Sequence, residues 1–167
     1  LSEPWHPYGV RRIGNPAAAG PSKTKPRILY VEDEPVNFDM ATLNIGDRYE
    51  LVWARSSSEA CALIRTHQDT IAAVLMDIQL HGSVLDGIDL VRLIRGRLKT
   101  AKTLPPDHTI APLTCPVIFV TANVGLHNDA SLLRFGADAV IAKPVDVTRL
   151  SLCLSKLIAK DLQDASR

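Results

Sequence analysis

The chain has 167 residues, 22% charged and 46% hydrophobic, an ordinary globular composition that excludes wholesale disorder and allows one real core. With 19 basic against 18 acidic residues the net charge is +1, so composition makes no case for binding nucleic acid or a membrane surface. No apolar run approaches the ~18 residues of a membrane span. The three cysteines, Cys61, Cys115 and Cys153, are too scattered for a disulfide or metal framework and read as thiols of a reducing cytoplasm.

Residues 1–26 hold five of the eleven prolines and three of the nine glycines, with no hydrophobic period. No apolar run follows Arg11 and Arg12, as a signal peptide would require. The stretch reads as a linker or N-terminal arm, in which Trp5 and Tyr8 could dock on the domain or a partner. From 27 onward, short apolar runs alternate with helical patterns. RILYV (27–31) is the first predicted strand, and a helix follows from Pro35, tolerated in a first turn, to Ile45. ELVWA (50–54) is the second strand, followed by a serine-capped helix from Ser57 to His67. IAAVLM (71–76) is the third, with a helix from Gly87 to Leu98. PVIFV (116–120) is the fourth, with a helix from Val124 to Phe135 closed by Gly136. AVIA (139–142) is the fifth, and the last helix runs from Asp146 to Leu162. Five alternating strand–helix units predict an α/β fold with a doubly wound five-stranded parallel sheet and helices on both faces. The domain is therefore expected over 27–162, with 163–167 as a C-terminal tail.

In such sheets ligands gather at the carboxyl ends of the strands. Glu32, Asp33 and Glu34 follow the first strand, Asp77 the third, Thr121 the fourth and Lys143 the fifth. Glu32, Asp33 and Asp77 would repel one another unless a cation joined them. Oxygen-only ligands select a hard ion, and Mg²⁺ fits best. A carboxylate oxygen can also attack phosphorus, and the incoming phosphoryl oxygens then need a cation, Lys143 and a hydroxyl such as Thr121. The small Ala122 leaves that position accessible. Glu34 reads as an electrostatic cap of the first helix.

The segments VEDEPVN, VLMDIQL, DGIDLVRLIR, VIFVTAN and GADAVIAKPVD, in that order, resemble the response-regulator receiver domain of two-component signalling. The resemblance covers roughly residues 27–160. It implies the flavodoxin-like strand order 2-1-3-4-5, with Asp77 as phosphoacceptor and Asp33 as direct metal ligand. Glu32 would reach Mg²⁺ through water, and the Gln79 backbone carbonyl would be the third protein ligand. Thr121 matches the switch hydroxyl and Lys143 the lysine that pairs with the phosphoryl group, with a cis Lys143–Pro144 bond. Gln79 and Asn123 lie where family members tune hydrolysis of the acyl phosphate.

The resemblance also implies the partners. A histidine kinase or histidine phosphotransfer protein would donate the phosphoryl group. A downstream protein, or a second copy in a homodimer, would read the face formed by the fourth helix, fifth strand and fifth helix. Neither nucleic acid nor membrane contact is expected of this domain. The chain opens on Leu, and with the linker-like arm this favours a receiver from a hybrid histidine kinase over a stand-alone one.

Three features depart from the family pattern. Val140 stands where an aromatic is usual, three residues before Lys143. The loop after Asp77 is longer than usual and carries His81 where proline is common. Residues 96–115 form a long connection with Arg97, Lys99 and Lys102, expected to be a solvated excursion more readily than a partner contact. The five histidines show no ligand spacing. Two rival functions remain. One is a degenerate receiver that binds partners without phosphorylation. The other is an aspartyl-nucleophile phosphatase of the haloacid-dehalogenase type, disfavoured because no second aspartate lies two residues after Asp77.

Overall fold

The computed structural model describes residues 24–100, 103–122 and 129–167. Its strands are β1 (Arg27–Val31), β2 (Glu50–Ala54), β3 (Ile71–Met76), β4 (Val117–Thr121) and β5 (Ala139–Ala142). All are parallel and lie in the order β2-β1-β3-β4-β5. The helices are α1 (Pro35–Ile45), α2 (Ser57–His67), α3 (Gly87–Ile94), α4 (Asp129–Arg134) and α5 (Val147–Ala165). The flavodoxin-like architecture is the expected one.

Strand alternation sorts the core onto the two faces of the sheet. On β1, Ile28 and Tyr30 point one way and Leu29 and Val31 the other. The first pair packs with Leu75, Val120, Ile141, Ile45 of α1, and Leu150 and Leu154 of α5. The second packs with Val74, Met76, Phe119 and the inner faces of α2, α3 and α4. β4 is buried along its whole length, and each such aliphatic residue contributes roughly 1.5–3 kcal/mol by leaving water. The central strands are therefore the anchor for every residue carried at their carboxyl ends.

Several boundaries differ from the sequence expectation. α3 stops at Ile94 rather than near 98, because Gly96 adopts φ +67, a left-handed conformation that terminates helices. β4 is shifted by one residue, so Thr121 is its last member. α5 continues to Ala165, leaving a shorter tail than 163–167. α2 is capped by Ser56, whose hydroxyl accepts from Glu59 N, and Ser57 is its first residue. Glu34 sits at the N-cap of α1 but makes no side-chain capping hydrogen bond.

The connection from α3 to β4 is exposed along most of its described length, as expected, but it is pinned to the fold at a few points. Its short 3₁₀ turn (Pro106–His108) lies on α2, His108 is 2% exposed, and Leu113 and Cys115 are buried. Arg65 of α2 donates to Thr109 O at 3.2 Å. Arg95 donates to Leu113 O, Cys115 O and Gly136 O at 2.7–2.9 Å and pairs with Asp138 at 3.0 Å. These contacts give several of the segment's carbonyls partners within the protein. Most of the N-terminal arm, Lys102, Asn123 and the expected start of the fourth helix lie outside the described residues. No described helix is long and apolar enough to cross a membrane.

Candidate functional site

The carboxyl rim of the sheet brings the acidic residues together. One oxygen each from Glu32, Asp33 and Asp77 lies within 4.8 Å of the other two. Glu32 and Asp33 directly follow β1, and Asp77 follows β3, the strand paired with it. The β1–β3 register thus places two consecutive acids beside a third from 44 positions further along the chain.

Lys143 arrives from β5. Thr121 pairs with Ala142 across β4 and β5, and Lys143 N donates to Thr121 O at 2.9 Å. The lysine Nζ donates to Glu32 Oε2 and to Asp77 Oδ2, both at 2.7 Å. The following peptide bond, Lys143–Pro144, is cis as expected. Thr121 itself is 1% exposed.

Glu32 is fully buried, and its carboxylate has three donors. They are Lys143, the Tyr30 hydroxyl at 3.2 Å and Glu34 N at 3.1 Å. Burial and the neighbouring Glu32 charge together push the Tyr30 phenol up, keeping it a neutral donor. Trp53 on the edge strand donates from Nε1 to Glu32 O at 2.7 Å and stacks on Phe38 at 4.8 Å. Asp77 is mostly buried with a 10% exposed side chain, and Gln79 N donates to its Oδ1 at 3.2 Å.

The electrostatics follow from three carboxylates facing one ammonium. Burial raises the pKa of Asp77; Glu32 adds to this, and Lys143 opposes it. Burial alone would lower the lysine pKa, but its hydrogen bonds to Asp77 and Glu32 raise it, so it stays charged. The site keeps a surplus of negative charge, and its oxygen-only donor set fits a small hard cation. The Asp33 carboxylate accepts from His81 N at 3.0 Å and pairs with His81 Nδ1 at 2.7 Å. Burial opposes ionisation of Asp33, but the His81 hydrogen bonds outweigh it and lower its pKa.

A family model described as the response regulator receiver domain matches residues 28–155. The chain belongs to the response-regulator receiver family. The receiver is 29% identical over 157 residues to the sensor protein GacS of Pseudomonas syringae, covering 93% of this chain and 16% of that protein. It is 28% identical over 152 residues to histidine kinase 5 of Arabidopsis thaliana, covering 81% and 16%. The chain thus spans about a sixth of the length of these relatives. Among solved structures, the receiver domain of NtrX from Brucella abortus superposes with a TM-score of 0.62 at 26% identity, covering 79% of this chain and 98% of that one. The receiver domain of a Francisella response regulator gives 0.66 at 20% identity, with 82% and 99% covered.

The receiver's rim brings together Glu32, Asp33, Asp77 and Lys143, four of the residues singled out by sequence. Gln79 follows on the same loop, exposed, and Thr121 ends the adjacent strand. Three contacts were missed: Tyr30 on Glu32, Trp53 on the Glu32 carbonyl and His81 on Asp33. The first had a signal, since residues two apart on a strand share a face. The other two cross between segments and had none. At the departing position, Val140 is half-buried, pairs with Phe119 and packs on the α2–α3–α4 side of the core.

Proposed function

We propose that this domain accepts a phosphoryl group on Asp77 from a phosphohistidine of a histidine kinase or phosphotransfer protein. The single observation that carries this is the Lys143 ammonium at 2.7 Å from Asp77 Oδ2, beside three converging carboxylates. An Asp77 oxygen attacks phosphorus and the P–N bond breaks with its electron pair staying on the ring of a phosphohistidine whose other nitrogen is protonated, so that an acyl phosphate and a neutral imidazole result. Lys143 is positioned to neutralise the incoming phosphoryl oxygens. Glu32, Asp33, Asp77 and the Gln79 carbonyl would hold Mg²⁺, which when bound supplies charge neutralisation.

The phosphoryl group carries about −1.5 to −2 charge in place of the single carboxylate charge of Asp77. The Thr121 hydroxyl moves toward it, which biases the α4–β5–α5 face between two packings. A downstream protein or a second copy of the chain would read that face. On α1, Val36, Met40 and Leu43 are exposed at helical spacing beside the site, an apolar strip for a helix of the phosphodonor. Hydrolysis of the acyl phosphate resets the switch, so the domain is a self-modifying acceptor and not a turnover enzyme. Free Cys61, Cys115 and Cys153 suit a cytoplasmic setting, and the relatives support a place in a hybrid histidine kinase.

The test is incubation with acetyl phosphate and Mg²⁺ followed by intact mass. One added phosphoryl group on wild type and none on Asp77→Ala is the expected result. No addition to wild type would instead support the phosphorylation-independent binding module. Sustained turnover of an aryl phosphate would support the phosphatase.

A further inference from the structure

The α3–β4 connection carries a buried hydrogen-bond chain that the phosphoryl chemistry leaves unused. Asp107 Oδ1 lies 2.7 Å from His108 Nδ1, and His108 Nε2 lies 2.8 Å from Ser57 Oγ. Ser83 Oγ donates to Ser57 Oγ at 2.9 Å, and Leu85 N donates to the same oxygen at 3.2 Å. Ser57 N donates back to Ser83 Oγ at 2.8 Å. Asp107 also accepts from the Ser58 hydroxyl. The His108 side chain and Ser57 are both fully buried, whereas Asp107 is half-exposed.

The order carboxylate, imidazole, hydroxyl is that of an acyl-transfer triad, but Ser57 is not placed to be a nucleophile. It is shut off from solvent, and both of its lone pairs accept hydrogen bonds, from Ser83 and Leu85. A hydroxyl so filled can only donate onward, to His108 Nε2. His108 thus bridges the Ser57 hydroxyl on one side and the Asp107 carboxylate on the other. The hydrogen-bond chain ends on the far half of the loop that follows Asp77.

That loop, residues 78–86, packs Ile78, Leu80 and Leu85 into the core, and three sets of hydrogen bonds tie it to side chains around it. Near its start Gln79 N bonds Asp77, and at its middle His81 N bonds Asp33. Both anchors are acids of the site itself. The third, Ser57 at the start of α2, is not one of those acids. A longer loop carries more conformational freedom to remove, and the connection adds a polar anchor to the apolar ones.

We infer that the Asp107–His108–Ser57 chain is a positioning device for the Asp77 loop. It fixes Ser83 and Leu85 and, through them, the Gln79 carbonyl and the His81 amide beside the acidic cluster. The consequence for a bound cation rests on the proposed phosphoacceptor function; the anchoring does not.

The test compares wild type with His108→Phe, which keeps a ring and removes both nitrogens, and with Ser83→Ala, a change in a half-buried loop residue. His108→Gln, which keeps an acceptor for Ser57, is the rescue. Hydrogen exchange of the 78–86 peptide is read without metal, alongside thermal unfolding. Mg²⁺ affinity is read from Trp53 fluorescence in a Trp5→Phe background, since Trp53 bonds Glu32 O. His108→Phe and Ser83→Ala should exchange the loop about tenfold faster and bind Mg²⁺ about tenfold more weakly. His108→Gln should lie near wild type. Unchanged loop exchange and Mg²⁺ affinity in Ser83→Ala, or in a folded His108→Phe of lowered Tm, would overturn the inference. A wild type that neither binds Mg²⁺ nor takes up phosphoryl would sink the proposed function, and the metal-free exchange would still decide the anchor.

Discussion

Lys143 Nζ and Glu32 Oε2 are 2.7 Å apart although the residues are 111 positions apart in the chain, and the same ammonium also bonds Asp77. The glutamate is fully buried, so this lysine is what permits a charge there.

Removing that lysine should be costly. Lys143→Ala strands the Glu32 carboxylate with only neutral donors, and a broken buried pair typically costs about 3–5 kcal/mol. The expected outcome is a clear fall in Tm by calorimetry in chelator, partly recovered in millimolar Mg²⁺. A variant as stable as wild type in chelator would contradict this.

Asp77→Asn should behave oppositely. Burial and Glu32 raise the Asp77 pKa, so the fold favours its protonated form. The charged form therefore costs stability, not at all below the ordinary aspartate range and fully above the raised value. The variant should melt about 2–4 °C above wild type at neutral pH, the effect of ~1 kcal/mol in a domain this size. The gap should close as pH falls toward the ordinary aspartate range. Melting curves across that range, with metal chelated, check the sign.

Gly87→Ala should damage the acceptor loop directly. An added Cβ would lie 1.9 Å from Asp77 O and 2.8 Å from Ile78 Cα. Both contacts are backbone, which cannot move aside like a side-chain tip. The variant should lose ~3 kcal/mol or more and most of its phosphoryl uptake, measured by denaturant unfolding and intact mass.

His81→Ala should strengthen cation binding slightly. The imidazole pairs with Asp33 Oδ2, the oxygen a cation would also claim, but its side chain is 78% exposed. Exposed pairs are weak competitors, so Mg²⁺ affinity should rise about twofold, read by the Trp53 signal. Weaker binding would show that His81 organises Asp33 for the ion.

Much of this was legible along the chain because it is local. Strand positions follow from short apolar runs, and each run is followed directly by its chemical residue: Glu32, Asp77, Thr121, Lys143. Helix ends were less legible. Gly96 stops α3 through its backbone conformation, which competes with an apolar period that continues to Leu98. The buried His108 within the mostly exposed connection was not legible, because its neighbouring charges and prolines resemble a solvated loop. Its burial depends on Ser57 and Arg65 of α2, which no local pattern reveals.

By itself, then, the amino-acid order determined the parallel α/β layout and the set of groups on one rim, since period and chain order are properties of neighbouring residues. Which oxygen each donor meets was decided only in three dimensions: Lys143 on Glu32, His81 on Asp33, His108 on Ser57. The physical reason is range. A hydrogen bond is made or lost over a few tenths of an ångström, and the separations between distant segments are set by the packing of the whole sheet and its helices.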